Sequence, residues 1–193
     1  MRRILLLSAA GVLLAGTVSA QSVGTTAAPG DQPPPPPAAP CGEWNLASDF
    51  RTWPNQENPN PDACGNPGVW HFLYSPTLTR DPASYRLLPQ FVPDWDDVYR
   101  VWGLNNWRWA LGASLPVVGI NATGVAQHIY TFDWPAGVIN VHPYPSRLGI
   151  VGWRAPTSGT VAITGTVRDM DSACGDGLLG TSTMAGPSWR QAQ

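Results

Sequence analysis

Four tryptophans, Trp95, Trp102, Trp107 and Trp109, fall within fifteen positions of one another in a chain that has 10 of them. An indole is flat, broad and apolar with one polar N–H. It can stack on the C–H face of a sugar ring while nearby amides and cations fix the hydroxyls. Trp107 and Trp109 are two positions apart, and Asn105, Asn106 and Arg108 surround them. In an extended chain, alternation sends both indoles to one side, roughly 6.8 Å apart. These five residues are the candidate carbohydrate platform and its polar rim. Burial in a core is nonetheless the commoner fate of any single Trp. Trp70 and Trp153, on strand-like stretches, are the clearest core candidates.

A second chemistry is carried by Asp169, Asp171 and Asp176, three carboxylates around Gly175 and Gly177. Hard oxygen ligands on a Gly-containing loop suit a structural calcium, although the spacing is not that of an EF-hand, and a solvated loop explains the same residues. Asp94, Asp96 and Asp97 form the densest acidic cluster, and acids in the first turn of a short helix through about Trp102 account for it. The histidines His71, His128 and His142 are far apart and show no metal-ligand spacing. G-x-S-x-G, H-E-x-x-H and phosphate-loop signatures are absent, and the bare G-x-G-x-x-G string at Gly175 to Gly180 opens no helical pattern, as a dinucleotide fingerprint must. A glycosidase needs two carboxylates facing across a cleft, and the Asp content leaves that alternative open.

The elements that must position these residues are short strands. In Val69 to Tyr74, Trp70, Phe72 and Tyr74 share one face. Leu115 to Ile120, Val125 to Asp133, Val138 to His142, Leu148 to Arg154 and Thr160 to Val167 follow. Gly- and Pro-containing turns separate them. With 20 Gly, 21 Pro and only 12% charged residues, the composition excludes a coiled coil, a helical bundle and a charged disordered tail. Strands at this spacing specify an all-β fold, an antiparallel β-sandwich of jelly-roll type.

Ahead of the domain, residues 1–20 have the layout of an export signal. Arg2 and Arg3 precede the apolar run Ile4 to Gly16, which is too short to span a bilayer, and Val18-Ser19-Ala20 supplies a cleavage junction. Residues 21–40 hold the run Pro33 to Pro37 and form a stiff polyproline spacer. The sandwich is expected at 41–180, with an irregular tail at 181–193 and without its closing strands. The formal net charge of −2 and the absence of a basic stripe argue against a nucleic-acid partner, and no second long apolar run exists to insert the mature chain in a membrane. Export places Cys41, Cys64 and Cys174 in an oxidising compartment. Of the three pairings, Cys41 with Cys64 staples the end of the linker onto the domain, a loop worth about 3 kcal/mol in the chain-entropy model.

A family resemblance rests on the order of several landmarks. These are Asp49-Phe50, Asn66-Pro67-Gly68-Val69-Trp70, Pro116 to Asn121, Val141-His142-Pro143, and Val151-Gly152-Trp153-Arg154-Ala155-Pro156 running on through Ser158-Gly159 to Val167. In these the chain, over about 44–178, resembles a group of secreted bacterial β-sandwich exodomains of the kind found in PEP-CTERM-type surface proteins, similar to galactose-binding-like jelly rolls. The resemblance implies an architecture and an extracellular habit, not a mechanism. The expectation is therefore a secreted, non-catalytic module that binds polysaccharide or a cell-surface glycan. A purely structural or adhesive surface domain and an Asp-pair polysaccharide hydrolase stand as alternatives.

On export, cleavage is expected after Ala20. Intact mass or N-terminal sequencing of the secreted product checks it, with Gln21 as the first residue; a secreted chain still beginning at Met1 contradicts it.

Overall fold

The computed structural model describes residues 4–9, 12–21, 42–95, 100–110, 113–171 and 181–185. In chain order the elements are β1 (Ile4–Ala9), β2 (Val12–Gln21), β3 (Glu43–Asn45), a single helical turn α1 (Leu46–Asp49), β4 (Trp70–Ser75), β5 (Arg86–Leu87), β6 (Gln90–Val92), β7 (Leu104–Ala110) and β8 (Ala113–Asn121). There follow β9 (Gln127–Ile129), β10 (Phe132–Trp134), β11 (Ile139–His142), β12 (Leu148–Arg154), β13 (Thr160–Thr166) and β14 (Thr181–Ala185). The fold is all-β, as the alternation requires. One sheet runs β14-β1-β12-β4-β5 and the other β13-β2-β11-β8-β7-β6, with every named pairing antiparallel. From β11 onward the chain alternates between the two sheets, the habit of a jelly roll.

The sheets meet through large apolar side chains. Trp70 and Phe72 from β4 and Val151 and Trp153 from β12 pack against Trp107 (β7), Val118 and Ile120 (β8) and Ile139 and Val141 (β11). Trp44 closes this core edge-on against Trp153, with ring centroids 5.4 Å apart. The β6–β7–β8–β11 sheet is covered on its other face as well. There Leu104 and Val117 pack against Trp95 and the β9–β10 hairpin through Ile129, Phe132 and Trp134. Gly119 makes that second layer possible. A Cβ there would stand 2.8 Å from the Asn105 carbonyl oxygen and 3.2 Å from the Trp134 ring.

Several expectations are refined. Val125 to Asp133 is not one strand: Tyr130, at φ 52°, turns it into the β9–β10 hairpin. Of the helix expected from Asp94 to Trp102, residues 96–99, with Asp96 and Asp97, lie outside the described residues; Asp94 and Trp95 are in a bend and Trp102 is in a turn. Thr181–Ala185, expected in an irregular tail, is β14, paired with β1. Residues assigned to the export leader form β1, between β12 and β14, and nearly all of β2, between β11 and β13. They extend the two sheets where closing strands were expected to be missing. A leader removed after Ala20 takes both away, and β3, β13 and β14 then lose the strand each pairs with.

On the outer side of β4, opposite Gly152, sits His71. Its Nδ1 is buried with no hydrogen-bond partner among the described residues. Burial, reinforced by the nearby Arg154 charge, pushes the imidazole down from 6.5 to about 4. The folded state thus favours neutral His71. Between pH 6.5 and about 4 the unfolded chain binds a proton that the folded chain does not, so this contribution is complete above about 6.5 and is lost as pH falls. The expected weakening across that window is on the order of 3 kcal/mol at most. Asp49, whose carboxyl is raised by burial, works in the opposite sense near the acid end. Denaturant unfolding of the parent chain and His71→Gln at a series of pH values isolates the histidine: the difference between them should shrink as pH drops from 6.5.

Candidate functional site

The segment between β3 and β4 contains almost no regular structure, yet it is held tightly by side chains. Asn45 caps α1, its Oδ1 accepting from the Ala47 and Ser48 N–H groups. Asp49, at the end of that turn, accepts from the Trp70 indole at 2.8 Å and from the Ala63 N–H at 3.1 Å. Asp62 accepts from the Trp44 indole at 2.7 Å, from the Cys64 and Asn66 N–H groups, and from the Asn66 amide. Buried Asn60 pairs with Trp70 through the backbone, while its side chain accepts from the Arg51 N–H and donates to the Asp49 carbonyl. Asn58 accepts from the Phe72 N–H and donates to the Phe72 and Leu88 carbonyls. Burial raises the Asp49 carboxyl above its ordinary value and the neighbouring Asp62 charge adds to this, against the opposing pull of the Trp70 and Ala63 donors. Asp49 and Asp62 are thus a buried carboxylate pair whose four oxygens already accept N–H donors. Their arrangement is suited to holding two indoles in place and leaves no carboxylate oxygen aimed at a cleft.

The five residues expected to make a sugar platform are brought together, but inside the protein. β7 is extended, as alternation of the two indoles needs. The face carrying Trp107 and Trp109, however, looks into the space between the sheets. Trp107 is only 8% exposed and meets Phe91 edge-on at 5.3 Å. Trp109 is partly buried, with the Arg147 guanidinium 3.9 Å above its ring. Asn106 and Arg108 occupy the other covered face. Arg108 donates to the Asn106 side chain and lies 5.8 Å from the Trp95 ring, while Asn106 donates to the Asp94 carbonyl at 2.7 Å. Asn105 is buried too. This corrects the expected platform: among the described residues Asn105, Asn106, Trp107 and Arg108 are buried and Trp109 is partly buried, in a sheet packed on both faces.

The exposed indoles are Trp53, 52% exposed, and Trp102, 64% exposed, the two exposed tryptophans among the described residues. They meet at 6.3 Å between ring centroids with an 80° angle between planes. Buried Asn105 sets this placement. Its Oδ1 accepts from the Trp53 N–H at 3.1 Å, and its Nδ2 donates to the carbonyl of Gly103, next to Trp102, at 3.0 Å. Gly103, at φ +99°, adopts a conformation an L side chain rarely takes, and a Cβ there would press on Thr123. Its carbonyl also accepts from the Ala122 N–H, tying the Trp102 turn to the end of β8. Sequence reasoning placed Trp102 in the indole cluster but passed over Trp53. The available signal was its setting in Trp53-Pro54-Asn55, a segment without strand alternation, where a large indole has no sheet to bury it.

At the expected calcium loop, the Asp171 N–H donates to Asp169 Oδ1 at 3.1 Å, and Asp171 Oδ2 accepts from the Thr131 hydroxyl at 2.7 Å. Asp176 lies outside the described residues, and among the described residues no three metal-ligating side chains converge. Cys64 is disulfide-bonded; Cys41 and Cys174 both lie outside the described residues. No described helix is long and apolar enough to cross a membrane. Compared with family models, characterised proteins and solved structures, the chain matches none.

Replacing Asn105 by Ala should leave the Trp53 N–H without its partner, free the two rings from each other and cost about 1–3 kcal/mol. Denaturant unfolding checks the stability. Faster indole motion, read by fluorescence anisotropy against Trp102→Ala in the same background, checks the positioning.

Proposed function

We propose that this chain is an exported, non-catalytic β-sandwich module that binds carbohydrate through Trp53 and Trp102. The carrying observation is the pair itself: two large indoles, half or more exposed, in edge-to-face contact on two turns whose backbones one buried amide joins. Exposing two indoles side by side forgoes burial worth about 2 kcal/mol or more for each ring. A contiguous exposed aromatic surface supports reading the pair as a binding site. Stacking on sugar C–H faces makes use of such surface without needing charge, which suits a chain with only 12% charged residues.

Export is supported by the leader-like start and by a disulfide at Cys64, since disulfides persist in oxidising compartments, and it entails that the exported sandwich does without β1 and all of β2 but Gln21. In this reading Cys41 is the partner of Cys64 and fastens the proline-rich spacer to the sandwich. The resemblance to secreted PEP-CTERM-type exodomains belongs to the same proposal and supports a bacterial cell surface as the module's setting.

The double substitution Trp53→Ala/Trp102→Ala tests the function. Retention on a panel of immobilised polysaccharides should fall at least tenfold. The unfolding free energy should drop by only about 1 kcal/mol, the worth of one exposed edge-to-face contact. A much larger stability loss would assign the pair to packing instead.

A further inference from the structure

From the angle between the two rings we infer that the site selects soluble chains and chain ends over flat crystalline polysaccharide. This inference rests on the carbohydrate-binding reading and adds the class of ligand. A crystalline polysaccharide presents sugar rings packed side by side, with their faces outward and their edges covered by neighbouring chains. Gripping that surface takes aromatic rings lying in one plane. Trp53 and Trp102 stand 80° apart, so when one lies flat on such a surface the other stands on edge.

At 6.3 Å in an edge-to-face contact the two rings touch, so no sugar fits between them. What remains is the outer corner. One indole covers the face of a pyranose and the other meets its rim, where an exocyclic CH₂ group projects. Only a sugar with both its face and its edge free can enter that corner: a residue of a dissolved oligosaccharide, or one at the end of a chain. The backbone on both sides of the corner is braced. Asn105 holds the Trp53 backbone and the Gly103 carbonyl at once, and Gly103 holds a left-handed turn against Thr123.

The selectivity is tested on the full chain with cellohexaose, chitohexaose and maltohexaose in solution, followed by tryptophan fluorescence and by the indole N–H resonances. Microcrystalline cellulose and crystalline chitin serve as the solid phases. At least one hexasaccharide should bind, with a dissociation constant raised tenfold or more by Trp53→Ala and by Trp102→Ala, each shown folded by its thermal transition. Retention on the crystalline solids should not exceed that of the double variant. Trp-dependent retention on a crystalline solid that exceeds binding of the matching hexasaccharide overturns the corner geometry and leaves the carbohydrate reading standing. Binding that neither substitution weakens overturns the assignment to this site. No binding to any saccharide, dissolved or solid, removes the carbohydrate reading and the inference with it.

Discussion

Two buried carboxylates hold the organisation of this fold. Asp49 and Asp62 sit where the segment after β3 folds across the core, and each would be costly there without donors. Trp70 and Trp44 supply indole N–H groups, and the backbone of residues 63, 64 and 66 and the Asn66 side-chain amide supply the rest. Hydrogen bonds to a charged group contribute about 1.5–3 kcal/mol each. The same bonds orient Trp44 and Trp70, which are core residues of the main sandwich. An irregular segment is thereby made part of the core. Asn58 and Asn60, bonded along the edge of β4, then fix where the loop bearing Trp53 leaves the sheet.

The second constraint is the double covering of the β6–β7–β8–β11 sheet. One face closes against the opposite sheet and the other against the β9–β10 hairpin and Trp95. Polar side chains on β7 are therefore buried and must bond internally. Asn106 and Arg108 do so with each other and with the Asp94 carbonyl. Asn105 turns its amide toward the two loops beyond the strand end. The requirement to satisfy a buried amide is what joins the Trp53 loop to the Trp102 turn. Stability and the exposed site depend on one side chain.

That coupling also explains where exposure is tolerated. Trp53 and Trp102 lie on turns beyond the strand ends, where neither sheet nor hairpin can cover them, and their mutual contact shields only one edge. Tyr144, also exposed, stands instead beside Arg147, whose guanidinium lies over Trp109 and closes the far end of β7. One end of that strand is capped by a cation over an indole, and the other is left as a pair of open rings.

The order of amino acids alone determined the fold class and the strands β4, β8, β11, β12 and β13. Alternation is a local signal: Leu148 to Arg154 and Trp70 to Tyr74 could be placed from their neighbours because side chains on a strand take opposite faces in turn. It also marked Trp70 and Trp153 as core and made Trp107 and Trp109 face the same way. It could not say what that face meets, because alternation separates two sides of a strand without stating which is wet. Only the tertiary structure decided that both sides of β7 are covered, that Tyr130 splits one apparent strand into a hairpin, and that Asn105 is a brace. The contact that defines the site joins residues 52 positions apart, Trp53 and Asn105. No local pattern encodes it. It arises when the Asp49 and Asp62 network folds an irregular loop back onto the end of β7, and that return depends on the packed whole.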